Sequence, residues 1–97
     1  MKIEVECKSY EDVLEAIYTP VDIIMLDNMD LNEIERSVKL VHRESMENGR
    51  VIRIEASGNI GLNEVKKIAE SSVDYISIGS LTHSVKSHDF TLLFNEL

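Results

Sequence analysis

With 97 residues the chain has room for one domain and one modest hydrophobic core. Its 18 acidic residues against 10 basic ones give a net charge of -8, and such a chain lacks the positive field that nucleic acid or an anionic membrane surface attracts. One cysteine, Cys7, excludes an internal disulfide framework, three scattered histidines give no zinc spacing, and no apolar run reaches the ~20 residues that span a bilayer. The expectation is a cytoplasmic domain with neither nucleic acid nor membrane as a partner.

The first apolar run, IEV, reads as a strand that ends at Val5 and leaves Glu6 at its carboxyl end. Cys7 follows as a small apolar strand residue. Ser9 caps a helix from Tyr10 to Ile17, with Asp12 three positions on as the partner of a capping box, and Pro20 closes the segment. VDIIML is the second strand and delivers Asp27. Asp30 with Glu33 repeats the capping signal, and Leu31, Ile34, Val38 and Val41 form an apolar stripe at helical spacing. Glu35 and Lys39 pair four apart on the wet side. That helix ends between Glu44 and Gly49. The third strand, VIRIEA, delivers Ser57 and Gly58. The third helix runs from Leu62 to Glu70 with Val65, Ile68 and Ala69 inward, and Ser71 and Ser72 break it. The fourth strand, VDYISI, delivers Gly79 and Ser80. FTLLF near the end fits either a short strand or a docked helix.

Strands alternating with helices imply a parallel sheet with crossover helices. In such sheets and barrels, ligands bind at the carboxyl ends of the strands. Glu6, Asp27, Ser57 with Gly58, and Gly79 with Ser80 therefore converge on one end of one sheet. On spacing alone, the acids also read as solvated strand ends, and SGN and IGS as ordinary turns. Val21 to Asp27 echoes Val73 to Gly79, as repeated strand and helix units would.

IEVE, DIIMLDNM, EASGNI and VDYISIGSLTHSVK, in this order, resemble the carboxyl-terminal part of quinolinate phosphoribosyltransferase, and the resemblance spans nearly the whole chain. It implies an α/β fold: a partial (βα) barrel of about four parallel strands with crossover helices, residues 1–97 being one carboxyl-terminal fragment of a TIM-like barrel. It also implies the family's reaction, in which quinolinate and phosphoribosyl pyrophosphate give nicotinate mononucleotide, pyrophosphate and CO2 with Mg²⁺, in NAD biosynthesis. By the same resemblance, Glu6 and Asp27 are the catalytic acids that face the ribose and the Mg²⁺ carried by pyrophosphate. Ser57, Gly58, Gly79 and Ser80 cradle the 5-phosphate, and His83, Glu55 and Lys86 lie near substrate. Asn28 orders the loop around Asp27.

The family also carries an amino-terminal domain and earlier barrel strands, with the cationic groups that hold quinolinate. The isolated chain is therefore expected to lack turnover, and to self-associate or to take a complementary half through its open edges. One alternative is a noncatalytic phosphate-binding half barrel. Another is a receiver-like signalling domain, because DIIMLDNM resembles a phosphoacceptor strand, although no Lys-Pro pair follows and Asp30 stands where a receiver has proline.

Overall fold

The computed structural model describes residues 1–58, 62–78 and 85–89. The elements in chain order are β1 (Glu4–Cys7), α1 (Tyr10–Ala16), β2 (Ile23–Asp27), α2 (Leu31–Asn48), β3 (Arg53–Gly58), α3 (Leu62–Glu70), β4 (Tyr75–Ile78) and β5 (Val85–Lys86). The sheet order is β1-β2-β3-β4-β5, parallel through β4. The four expected parallel strands are present, and a fifth is added to them: two residues of β5 lie antiparallel on β4, with Tyr75 opposite Lys86 and Ile76 opposite Val85.

The strand order has a direct consequence. Right-handed crossovers between successive neighbours never reverse direction across the sheet, so they place every helix on the same face. Burial alternates accordingly. Cys7, Ile24, Leu26, Ile54, Ala56 and Ile76 are buried, in one cluster with Val13, Ile34, Val38, Val41, Val65 and Ile68 from the helices. The intervening positions, among them Glu6, Met25, Asp27, Glu55, Ser57 and Tyr75, point to the other face and stay half-buried or exposed. Helices on one side and a bare sheet on the other is the wall of a (βα) barrel. A receiver has helices on both faces around a central strand with a reversed order, so this topology removes that alternative.

Local chemistry sets the helix ends. Ser9 Oγ accepts from the Asp12 N–H at 3.2 Å, while the Asp12 carboxylate takes the Lys8 N–H at 3.0 Å, one residue earlier than a standard capping box. Asp30 accepts from the Glu33 N–H at 2.8 Å. Glu33 does not reach back to Asp30; its carboxylate accepts the Tyr10 N–H at 2.9 Å, so the first turn of α2 caps the first turn of α1. Arg36 lies over the Tyr10 ring, 4.1 Å from its centroid, and reinforces the same junction. Gly49, at φ 64, stops α2 in the left-handed conformation.

After α3, Ser72 takes φ 70, a left-handed conformation that costs a side chain about 1–2 kcal/mol. Ser72→Gly is expected to stabilise the chain by about 0.5–1 kcal/mol, because the relief exceeds the added freedom of the unfolded glycine. Thermal melts check this; a melting temperature that is unchanged or lower would show that the serine is not strained.

The repeated Val-Asp pair marks strand starts. The Asp22 carboxylate accepts the Ile3 N–H at 2.7 Å while the Asp22 N–H donates to the Ile3 carbonyl at 2.8 Å. Asp74 does the same to Ile54, at 2.8 Å in both directions. Val21 and Val73 beside them are both buried. The echo is thus a device that ties each strand's amino end to a neighbour, at the opposite end of the sheet from the candidate ligand contacts.

Candidate functional site

Register builds the site row by row. Glu6 pairs with Met25, Met25 with Glu55, Glu55 with Tyr75, and Tyr75 with Lys86, so these five residues cross the bare face in one line. Two residues further along, Asp27 pairs with Ser57 and Ser57 with Ser77 in a second line at the carboxyl ends. Adjacent strands lie about 4.8 Å apart and each residue advances about 3.3 Å. The backbones of Glu6 and Glu55 are therefore about 10 Å apart, and Asp27 stands about 7 Å further along between them. In these two lines three carboxylates and three hydroxyls share one open surface.

Of the residues predicted from sequence, Glu6, Asp27, Glu55, Ser57, Gly58 and Lys86 are on this face or at its rim. Gly79, Ser80 and His83 fall outside the described residues. Sequence reasoning misses Tyr75 and Ser77, whose signal is the period-two alternation of β4 once the buried Ile76 fixes its phase.

At the rim, Asn28 follows Asp27 with φ 54, and its N–H donates to the Ser57 carbonyl at 2.9 Å. This bond extends the β2–β3 ladder by one residue into the loop. Gly58 has φ 138, which side-chain-bearing residues rarely adopt. Beside this rim, a cavity of about 420 Å³ opens among Asn28, Asp30, Ser57, Gly58, Glu64 and Lys67. Lys67 is the one cation among its described lining residues, against two carboxylates.

Cations are equally scarce on the bare face, where the described ones are Arg53 and Lys86. Arg53 is drawn toward Asp74, at 3.7 Å. Cys7, beside Glu6, is fully buried on the helix side, and burial together with the nearby Asp12 carboxylate pushes its thiol up to about 11. A thiol held protonated in this way is a packing group and not a nucleophile. No group of three or more His, Cys, Asp or Glu able to hold a metal occurs among the described residues. No helix among them is long and apolar enough to cross a membrane.

The family model for the quinolinate phosphoribosyl transferase C-terminal domain matches residues 1–93. The chain belongs to this family. A probable nicotinate-nucleotide pyrophosphorylase [carboxylating] of Methanocaldococcus jannaschii is 42% identical over 91 residues, which is 94% of this chain and 32% of that protein. The chloroplastic nicotinate-nucleotide pyrophosphorylase [carboxylating] of Arabidopsis thaliana is 39% identical over 107 aligned positions, covering 95% of the chain and 29% of the relative. Among solved structures, nicotinate-nucleotide pyrophosphorylase from Ehrlichia chaffeensis superposes with a TM-score of 0.68 at 38% identity, over 79% of this chain and 26% of that one. The Francisella tularensis enzyme gives 0.65 at 32% identity, over 86% and 28%. This quinolinate phosphoribosyltransferase domain thus spans between a quarter and a third of the length of the curated relatives it matches.

Proposed function

We propose that the chain contributes the acidic and phosphate-holding part of an active site that joins quinolinate to the ribose of phosphoribosyl pyrophosphate. The products are nicotinate mononucleotide, pyrophosphate and CO2. The observation that carries this reading is the uncovered sheet face with Glu6, Asp27 and Ser57 at its carboxyl ends, in a chain of this family. Carboxylates there orient ribose hydroxyls and favour the positive charge that develops at the anomeric carbon as pyrophosphate departs. Ser57 and Gly58, with Gly79 and Ser80, offer backbone N–H groups to the 5-phosphate. His83, Glu55 and Lys86 are assigned to the surroundings of the substrate.

Mg²⁺ fits the donor set as a shared ion. Glu6 and Asp27 are hard oxygen donors, and the lack of a complete protein cage among the described residues suits a cation that keeps water and substrate phosphates as ligands. When bound, Mg²⁺ would neutralise charge on the pyrophosphate. Both organic substrates are anions, and the described bare face offers them Arg53 and Lys86 alone. The isolated chain therefore gives no turnover, and the remaining cationic groups come from elsewhere in the full site. That scarcity also keeps a noncatalytic phosphate-binding domain as the second reading. A reducing, cytoplasmic setting suits the buried free thiol.

Titration calorimetry of phosphoribosyl pyrophosphate with Mg²⁺ into the chain tests the assignment. Saturable binding is expected, weakened about tenfold or more by Asp27→Asn, the loss of one charge-assisted contact, with no nicotinate mononucleotide formed when quinolinate is added. No binding to the unsubstituted chain would overturn the phosphate-holding role.

The same open architecture supports association as the second partner assignment. β1 bonds only to β2 within the described sheet, and the bare face exposes parts of Ile23, Met25 and Tyr75. Light scattering at micromolar concentration is expected to give a mass above that of the 11.0 kDa chain; a clean monomer would rule association out.

A further inference from the structure

The contact between the ends of β2 and β3 at Asn28 and Gly58 has a form that packing alone does not require. A Cβ placed on Gly58 would stand 3.1 Å from Asn28 Cγ and 3.3 Å from its Cα, and closer still to Oδ1. The carboxamide of Asn28 is thus seated on the glycine, and Gly58 is small where Asn28 needs the space. The Asn28 N–H is bonded to the Ser57 carbonyl at 2.9 Å. The two loops are joined by a backbone bond and a side-chain seat, and each partner has a positive φ, 54 at Asn28 and 138 at Gly58.

The residue type at position 28 follows from these demands. Asparagine enters the left-handed region more readily than most residues with side chains. Glycine would enter it too, but would leave Gly58 uncovered. Aspartate has the same shape, but would put a negative charge beside a loop assigned to an anion.

We propose that Asn28 is a positioning residue that fixes the Asp27 carboxylate relative to the Ser57–Gly58 backbone, and so sets the span between the ribose-facing acid and the phosphate-facing loop. The proposal rests on the function given above. Its consequence is selective. A ligand that bridges both groups depends on the span, whereas a ligand that uses the loop alone does not.

The test compares Asn28→Gly with the unsubstituted chain, since glycine can adopt the left-handed backbone while removing the side chain, and with it the seat and the other interaction that side chain makes. By titration calorimetry, phosphoribosyl pyrophosphate with Mg²⁺ is expected to bind about tenfold more weakly, the scale of one lost hydrogen-bonding contact. Inorganic phosphate is expected to change by less than about twofold, because it makes no contact that depends on the span. Equal losses for both ligands, or no loss for either, would overturn the proposal. Residual dipolar couplings of the unliganded proteins give a reading that needs no ligand: a reorientation of the Asp27 amide relative to the Ser57 amide upholds the positioning role, and an unchanged relative orientation refutes it. If the unsubstituted chain binds neither ligand, the functional reading above has failed, and the couplings still decide whether Asn28 places Asp27.

Discussion

Arg50→Ala is expected to lower the stability of the chain by about 2–3 kcal/mol, the upper part of the range for hydrogen bonds to a charged group. Arg50 follows the left-handed Gly49 and turns its guanidinium under the end of α1. Its Nη1 donates to the Ile17 carbonyl and, at 3.3 Å, to Glu44 Oε1. Its Nη2 donates to the carbonyls of Thr19 at 2.7 Å and Val21 at 3.4 Å. Helix α1 is seven residues long with no basic residue in its last turn, so the cation that complements its negative end comes from 33 residues away. Truncation would strand the carbonyls of this turn and leave Glu44, whose side chain is only 20% exposed, without its partner. For a domain of this size the melting temperature should fall by about 10 °C or more. Arg50→Lys is expected to recover only part of the loss, since one ammonium cannot serve acceptors that the fork reaches on several sides. A fall of less than about 0.5 kcal/mol in denaturant titrations, the usual scale of a surface change, would show that the clamp is ornamental.

That clamp also marks where sequence reading stops. The local signals were legible because their physics is local: Ser9 and Asp30 cap helices within three residues, Gly49 ends α2 at its own φ, and Val65 with Ile68 shows which side of α3 is buried. The parallel sheet followed from the alternation of strands and helices, whereas the bare face needed the strand order, because the same alternation also fits a sheet covered on both sides. Long-range partners carry no such trace. Nothing near Arg50 in the chain announces Ile17, and Glu33 reads as the partner of Asp30 until the fold brings the Tyr10 N–H within 2.9 Å. β5 has two residues and one neighbour, too few to impose a period. At the site, alternation and strand ends located Glu6, Asp27 and Ser57. The seat of Asn28 on Gly58 needed coordinates, since a glycine kept small by a side chain 30 residues earlier looks in sequence like any turn glycine.

The buried thiol gives the second large effect, and its sign is fixed by which state holds the proton. Cys7 lies between the β1 backbone and the helices with no exposed surface, and its pKa is raised from 9.0 to about 11, first by burial and then by the Asp12 carboxylate. Below pH 9 the thiol is protonated in both the folded and unfolded chain, so its contribution is fully present. Between pH 9 and 11 the unfolded chain releases its proton while the folded chain keeps it, and folding loses stability with rising pH. Above pH 11 both states are ionised and the loss levels off at about 2–3 kcal/mol. The comparison is made against Cys7→Val, which fills similar space without an ionisable group, so that only the thiol differs between the two chains. Denaturant titrations at pH 8, 9.5 and 11 are expected to show the wild-type curve falling away from the variant as pH rises. Parallel curves would mean that the thiol ionises as easily inside the fold as outside it. Divergence that grows with pH would instead show that the folded chain holds the proton on Cys7 and keeps the thiol as a packing group beneath the sheet.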